Sequence, residues 1–244
     1  MILELGVLGV AAAAAGTMGY AVRGRSATLL APSHWRGPAE RKAIALTFDD
    51  GPSESTAELL DVLDEHKAKC TFFPIGRNVE RLPDIARDVA RRGHELGNHS
   101  YTHSPFYLRH PQFIEDEIAI AQEVIADVSG TRPRWLRAPY GCRWFGLKEA
   151  QQRHGLTGVM WSGNGLDWKR DAKAVHRRLK GASRNGAILL LHDGRERNLR
   201  PDVRNTVDAV RRLLPELREQ GYHLCTVSDL LCQKQPPNAS SASL

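Results

Sequence analysis

The segment IALTFDDGPS, residues 44–53, joins an apolar run to two adjacent acids and a Gly-Pro pair. The apolar run predicts a buried strand over residues 42–48, and the Gly-Pro pair predicts a turn. In folds with parallel strands, functional groups gather at the carboxyl ends of the strands. Neighbouring side chains at a strand end point apart, so one of Asp49 and Asp50 can bind a metal while the other acts as a base. A plain Asp-Asp-Gly-Pro turn is the alternative.

Strand-like and helix-like segments alternate along the rest of the chain. The predicted strands cover residues 42–48, 70–75, 94–98, 135–138, 157–162, 187–191 and 223–227. The predicted helices cover residues 55–67, 79–92, 114–128, 147–154, 172–180 and 203–220. Asn78 is expected to cap the second of these helices. Roughly seven βα units with nearly continuous apolar strands predict an α/β fold of parallel strands, either a barrel or a doubly wound sheet.

Composition excludes a disordered polymer and argues against a nucleic-acid partner. Apolar residues make up 41% of the 244 residues, which suffices for a sizeable core. The net charge of +6 comes from 34 Lys and Arg residues against 28 Asp and Glu residues. The basic residues are scattered over the predicted helices and form no basic block, so no nucleic acid is expected as a partner.

The two ends of the chain differ in composition from its middle. Residues 5–22 carry no charged side chain and are long enough to span a bilayer as a helix. Residues 1–22 are therefore predicted to be a membrane anchor or a signal-like helix. Residues 23–41 contain Gly, Ser and Pro without periodicity, which predicts a linker, and residues 233–244 form a polar tail that is predicted to be disordered. The catalytic domain is predicted to occupy residues 42–232.

Two histidines with helical spacing follow the third predicted strand. His99 and His103 are four residues apart, so both imidazoles face one way if the segment turns helically. Asp50 can supply a carboxylate as the third ligand. Two histidines and one carboxylate leave open coordination positions, which is typical of catalytic zinc and also of non-haem iron. The alternative is a pair of surface histidines.

Three further strand ends carry residues suited to hydrolysis. Arg137 begins the segment RAPYG, where the guanidinium can hold an aspartate ionised and the tight turn can aim a backbone N–H at an oxyanion. His192 follows a buried strand and can act as a general acid, with Asp167 orienting its ring. Trp168 can line the site. The alternatives are a plain turn, a hydrogen-bonded histidine at a strand end and a core tryptophan.

Taken in order, these segments resemble the motifs of a known family. They are Thr47-Phe-Asp-Asp-Gly51, His99-Ser-Tyr-Thr-His103, Arg137-Ala-Pro-Tyr-Gly141, Asp167-Trp168 and Leu190-Leu-His-Asp193. The family is that of the polysaccharide deacetylases, carbohydrate esterase family four, with the nodulation-type deacetylase homology domain, and the resemblance covers residues 43–230. It implies a distorted (β/α)7 barrel. It also implies metal-dependent removal of N-acetyl groups from N-acetylglucosamine-type polysaccharides, with zinc as the usual metal and cobalt or another divalent ion as a substitute.

The resemblance also implies a role for each matching residue. Asp49 resembles the catalytic base. Asp50, His99 and His103 resemble the metal ligands, and Arg137 would pair with the base.

On the leaving-group side, His192 resembles the acid that protonates the departing sugar amine, supported by Asp167. The backbone N–H of Tyr140 would help to stabilise the oxyanion. Leu190 and Trp168 would form the walls of the acetyl pocket.

The fourth motif departs from the family pattern, because Asn164 stands where an earlier aspartate is frequent. The aspartate before the tryptophan is kept, so catalysis is expected to survive while loop shape or substrate fit differs. Two other functions stay open: hydrolysis of O-acetyl esters on a xylan-type glycan, and glycan binding without catalysis. N-acetylmuramic acid in peptidoglycan is an alternative substrate.

The expected location follows from the inferred substrate. A wall polymer requires an outward-facing or secreted catalytic domain, whereas Arg23 and Arg25, directly after the apolar stretch, favour a cytoplasmic one. The inferred substrate outweighs this charge pattern, so the catalytic domain is expected to face outward or to be secreted. Chitin oligosaccharide or peptidoglycan is the expected partner, with membrane attachment through residues 5–22.

Overall fold

The computed structural model describes residues 2–196, 198 and 200–232. The predicted tail over residues 233–244 lies outside this range. The strands are β1 Ser33–His34, β2 Ala43–Asp49, β3 Thr71–Phe73, β4 Glu95–Leu96, β5 Trp135–Leu136, β6 Thr157–Val159, β7 Gly163–Asn164, β8 Ala187–His192 and β9 His223–Leu224. The helices are α1 Ile2–Arg23, α2 Thr56–Glu65, α3 Gly76–Arg81, α4 Pro83–Arg91, α5 Pro111–Ser129, α6 Leu147–Arg153, α7 Ala172–Ala182, α8 Arg204–Glu219 and α9 Val227–Cys232, with a 3₁₀ turn at Pro139–Gly141.

All pairs between these strands are parallel, which confirms the predicted α/β class. One sheet has the order β4-β3-β2-β8-β7, with β9 also paired to β2, and the other has the order β1-β6-β5. A parallel bridge between Asn98 and Leu136 connects the two sheets. The strands therefore form two linked sheets, and the sheet pairing by itself does not establish the closed barrel.

The sequence of β2 explains how the central strand delivers its acids to one edge. All seven of its residues are buried. Ile44, Leu46 and Phe48 belong to the core cluster under helices α2 and α8, whereas Ala43 and Ala45 belong to a second cluster on the opposite face. Side chains alternate between the faces of a strand, so Asp49 continues the face of the two alanines.

The face of β2 that carries Ile44, Leu46 and Phe48 packs against amphipathic helices. Leu59, Leu60 and Leu63 of α2 are fully buried, and the rings of Phe48 and Phe72 stack with centroids 5.0 Å apart. Burial of one such side chain contributes about 1.5–3 kcal/mol. This packing holds β2 in register with β3 and β8, so the ends of the three strands lie side by side.

The helix predicted over residues 79–92 is two helices. Pro83 stands at the first position of α4, because a proline ring cannot continue the preceding helix. Asn78 lies inside α3 and does not cap it. Its side-chain amide donates instead to the carbonyl oxygens of Asp50 and Glu196.

Two predicted segments near the chain ends also differ from the structure. The predicted last strand, residues 223–227, is the short β9 followed by α9. The predicted linker, residues 23–41, contains β1, which pairs with β6. Backbone hydrogen bonding to a distant strand overrides the local Gly, Ser and Pro composition of that segment.

The apolar stretch over residues 5–22 lies within α1. Among the described residues, no helix combines the length and the apolar character needed to cross a bilayer.

Candidate active site

A pocket of about 820 Å³ opens at the carboxyl ends of the strands. It brings together residues from five separate predicted strand ends. Its lining comprises Arg23, Asp49, Asp50, His99, His103, Tyr140, Gly141, Trp161, Asn164, Leu166, Trp168, Leu190, His192, Arg195, Glu196 and Asp202. Two predicted site residues, Arg137 and Asp167, lie buried behind this lining.

Asp50, His99 and His103 form a buried group whose potential ligand atoms lie within 4.8 Å of one another. Oδ1 of Asp50 is 3.4 Å from Nε2 of His99 and 3.3 Å from Nε2 of His103. This oxygen receives no hydrogen bond from any residue in the described part of the chain. A buried carboxylate oxygen without a partner is costly, and a divalent cation that accepts imidazole and carboxylate ligands would satisfy it. The three residues therefore fit a metal ion.

The ring of His99 is oriented by the backbone. Its Nδ1–H donates to the carbonyl oxygen of Arg137 over 2.7 Å, which leaves the Nε2 lone pair directed toward Asp50. Such a hydrogen bond on the outer nitrogen is typical of a metal-binding histidine. Burial alone would raise the pKa of Asp50, but the imidazoles of His99 and His103 hold that pKa well below its usual range.

Asp49 pairs with a guanidinium instead of joining this group. Nη1 of Arg137 donates to Oδ1 of Asp49 over 2.7 Å and to Oγ1 of Thr47 over 2.8 Å. The Arg137 side chain is 0% exposed and lies over the ring of Phe73. Oδ2 of Asp49 remains 3.7 Å from Nε2 of His99, so the two adjacent acids have different partners.

His192 and Asp167 form a second buried pair. Nδ1 of His192 donates to Oδ1 of Asp167 over 2.9 Å, while Oδ2 accepts from the His192 backbone N–H and the Thr206 hydroxyl. Burial favours the neutral imidazole, but the hydrogen bond and charge of Asp167 outweigh it and raise the pKa of His192 to about 9. Nε2 is the ring nitrogen left for the pocket. Trp168 packs edge-on against the His192 ring at 4.8 Å.

Left-handed backbone conformations concentrate around the pocket. The φ angles are 72° at Asp50, 63° at His103, 58° at Tyr140, 55° at Leu166 and 41° at Glu196. For residues other than glycine this conformation costs about 1–2 kcal/mol each. Strain of this kind persists where the surrounding structure enforces it, and it is typical of functional sites.

Glu196 belongs to the site but has no sequence signal. Its Oε1 accepts a hydrogen bond from the Tyr140 hydroxyl over 2.5 Å and lies 3.4 Å from Nδ1 of His103. Its backbone carbonyl accepts from Asn78 over 2.7 Å. Glu196 in a polar loop and Asn78 in a helix are ordinary in a sequence. Only their contacts with distant segments identify them as part of the site.

Asn164, the departure from the family pattern, shapes a turn. Its Oδ1 accepts the backbone N–H of Leu166 over 2.8 Å, so the side chain supports the loop that leads to Asp167. The neutral amide oxygen of Asn164 accepts this hydrogen bond, so the turn does not require the carboxylate of an aspartate at this position.

Comparison with known proteins places these residues in a family context. Residues 36–159 match the family model described as polysaccharide deacetylase. The chain is 32% identical over 197 residues to a peptidoglycan-N-acetylglucosamine deacetylase of Bacillus cereus, covering 80% of this chain and 70% of that protein. It is 35% identical over 192 residues to a chitooligosaccharide deacetylase of a Bradyrhizobium species, covering 75% of this chain and 88% of that protein.

A solved structure shares the fold. The Bc1960 peptidoglycan N-acetylglucosamine deacetylase superimposes with a TM-score of 0.78 at 29% identity, covering 83% of this chain and 94% of that one. The chain spans only 40% of the length of a longer relative, a peptidoglycan-N-acetylglucosamine deacetylase of Listeria monocytogenes to which it is 34% identical over 195 residues.

Proposed function

Because this chain belongs to the polysaccharide deacetylase family, we propose that it hydrolyses the N-acetyl groups of an N-acetylglucosamine-type polysaccharide and releases acetate. Peptidoglycan and chitin oligosaccharide are the proposed substrates, since the similar proteins are named for these two. One observation carries the proposal: the Asp50, His99 and His103 group lines the same pocket as Asp49 and His192.

We propose that Asp50, His99 and His103 hold one divalent metal ion, with zinc as the natural ion and cobalt or another divalent ion as a substitute. The support is the unpartnered Oδ1 of Asp50 between two imidazole nitrogens. When bound, such an ion supplies Lewis acidity that activates water and polarises a carbonyl group.

Asp49 is proposed to take the proton of the attacking water. Arg137 holds one carboxylate oxygen, Oδ1, and leaves Oδ2 on the side of His99. A fixed base within reach of the water contributes roughly 10²–10⁴-fold to the rate.

His192 is proposed to give its Nε2 proton to the departing amine, and Asp167 keeps the ring protonated and oriented. The backbone N–H of Tyr140, in the turn after Arg137, is proposed to donate to the oxyanion. Leu190 and Trp168, which both line the pocket, are proposed to enclose the acetyl methyl group.

The proposal extends to architecture and location. We propose that residues 42–232 form a distorted (β/α)7 barrel, supported by the bridge between Asn98 and Leu136 and by the hydrogen bond from Ser162 N–H to the Ile188 carbonyl. A wall polymer lies outside the cytoplasm, so the catalytic domain is proposed to be secreted or to face outward.

Acetate release before and after metal removal tests this function. The protein is treated with a chelator, assayed on chitin oligosaccharides and on peptidoglycan, and assayed again after zinc or cobalt is added. We expect release to disappear on chelation and to return with metal.

Asp49→Asn should keep its metal content and lose about 10²–10⁴-fold in rate, whereas Asp127→Asn, exposed on α5, is the matched control.

Two outcomes would contradict the proposal. Glycan binding without acetate release by the metal-loaded protein would indicate a binding module. Release from an O-acetylated xylan, but from neither N-acetylated substrate, would indicate an ester hydrolase.

A further inference from the structure

The last turn of α1 forms part of the wall of the active-site pocket. Arg23 lines the pocket, between two points where the chain is attached to the domain. On one side, the carbonyl oxygen of Val22 accepts the backbone N–H of Arg143 over 3.0 Å. On the other, Nη1 of Arg25 donates to the carbonyl oxygen of Ser162 over 3.1 Å. Arg23 is therefore held beside the pocket by both of its flanks.

Arg143 anchors this turn from within the domain. Its side chain is buried, and its guanidinium donates to the carbonyl oxygens of Ala21 and Gly24 and to Oγ of Ser33. The last carbonyls of a helix have no partner within the helix, and a cation there also complements the helix dipole. Ala21 is itself buried. The end of α1 is therefore bound at a defined place on the domain. Its anchor, Arg143, follows Tyr140 by three residues in the loop that borders the pocket.

The charges around the pocket leave Arg23 available to a ligand. The carboxylate of Asp202 pairs with Arg204, that of Glu196 accepts from Tyr140, and that of Asp49 accepts from Arg137. Arg23, in contrast, is exposed and makes no ion pair or hydrogen bond through its side chain to any residue that the structure describes.

We propose that Arg23 binds a carboxylate of the glycan substrate, which makes this site selective for an acidic, peptidoglycan-like strand over a neutral chitin-like one. The proposal rests on the deacetylase function proposed above. A guanidinium pairs with a carboxylate through two parallel N–H···O bonds. Peptide stems carry such carboxylates, as do muramic acid residues without a stem, whereas a strand made only of N-acetylglucosamine carries none.

The test compares acidic and neutral substrates in wild type and in Arg23→Gln. The substrates are a peptidoglycan fragment with free carboxylates, the same fragment with its carboxylates amidated, and a chitin oligosaccharide of equal length. The readout is the ratio of kcat/KM for the acidic fragment to kcat/KM for each neutral substrate. We expect Arg23→Gln to lower both ratios about tenfold, the effect of one hydrogen bond between charged groups.

Arg177→Gln, the same substitution at an exposed position of α7, is the matched control and should leave both ratios unchanged. Arg23→Lys should keep part of the preference for the acidic fragment, because the positive charge remains. It should lose the rest, because a lysine cannot form the two parallel hydrogen bonds. Added salt should lower the ratios of the wild type more than those of Arg23→Gln.

The outcomes separate this inference from the function on which it rests. Acetate release from none of the substrates by the metal-loaded wild type would contradict the deacetylase function. Release with equal kcat/KM for free and amidated fragments, or with ratios unaffected by Arg23→Gln, would overturn the role of Arg23 alone. The comparison of free and amidated fragments uses only wild type, so it stands even if the variant folds poorly.

Discussion

Each ionisable side chain proposed for catalysis is held by one buried partner. Arg137 donates to Asp49 over 2.7 Å, and His192 donates to Asp167 over 2.9 Å. Removing one member of a buried pair leaves the other as an uncompensated charge. The two pairs are consequently units, in which the partner sets both the orientation and the charge of the reacting group.

The alkaline limb of the pH profile should belong to the pair of His192 and Asp167. The pKa of His192 is raised to about 9, since the hydrogen bond and charge of Asp167 outweigh burial, so the protonated acid is present below that pH and is lost above it. We expect kcat to fall as the pH rises through about 9. In Asp167→Asn the charge is gone, and the limb should move toward the ordinary histidine value of 6.5.

Acetate release measured from about pH 5 to about pH 11, a range that contains both expected positions of the alkaline limb, checks this expectation. Asp208→Asn, exposed on α8, is the control and should keep the wild-type limb. An alkaline limb that stays in place in Asp167→Asn would mean that another group is the acid.

At the scale of elements, the short helix α3 connects two loops of the site. The side-chain amide of Asn78 donates to the carbonyl oxygen of Asp50 over 2.9 Å and to that of Glu196 over 2.7 Å. The first carbonyl belongs to the loop after β2 and the second to the loop after β8. Buried carbonyls must be hydrogen-bonded, so α3 determines how these loops approach each other.

Asn78→Ala should loosen both loops and lower stability. It leaves the buried carbonyl of Asp50 without this donor, which costs about 1–3 kcal/mol, and it also removes the donor to the partly buried carbonyl of Glu196. We therefore expect a lower midpoint of urea unfolding and weaker zinc binding by titration, because the backbone of Asp50 is no longer held. Asn205→Ala, exposed on α8, should change neither. A lower midpoint of urea unfolding together with an unchanged zinc affinity would show that α3 does not position the metal ligand.

At the scale of the whole molecule, the N-terminal segment is attached to the domain at several points. β1 pairs with β6, Arg25 donates to the carbonyl of Ser162, and Arg143 donates to carbonyls at the end of α1. These contacts connect residues more than 100 positions apart, as the separation of 122 between Ala21 and Arg143 illustrates. The segment therefore depends on the folded domain for its conformation.

Arg143→Ala should release this segment. The substitution removes the buried donors of the helix end, and we expect a loss of about 1–3 kcal/mol in the free energy of unfolding. The segment should also open locally, so trypsin should cleave after Arg23 and Arg25 faster than in wild type. Arg177→Ala, exposed on α7, is the control. Unchanged cleavage at both arginines, observed by mass spectrometry, would contradict the anchoring role of Arg143.

Local patterns in the sequence determined the class of fold and the residue types of the site. The apolar run before Asp49 identified the central buried strand, and the alternation of strands with helices indicated parallel pairing. Ionisable residues at the strand ends were visible because such ends meet at one edge. These features depend on neighbours in the chain, and a sequence displays them directly.

Only the tertiary structure decided which other residues join the site. Asn78 contacts the Glu196 backbone across 118 positions. Arg23 lies at the pocket where contacts with Arg143 and Ser162 hold the two flanks of this segment. β1 forms in a predicted linker because β6 supplies its backbone partners. Contacts of this kind arise from the packing of distant segments, and no periodicity or short motif in the chain records them.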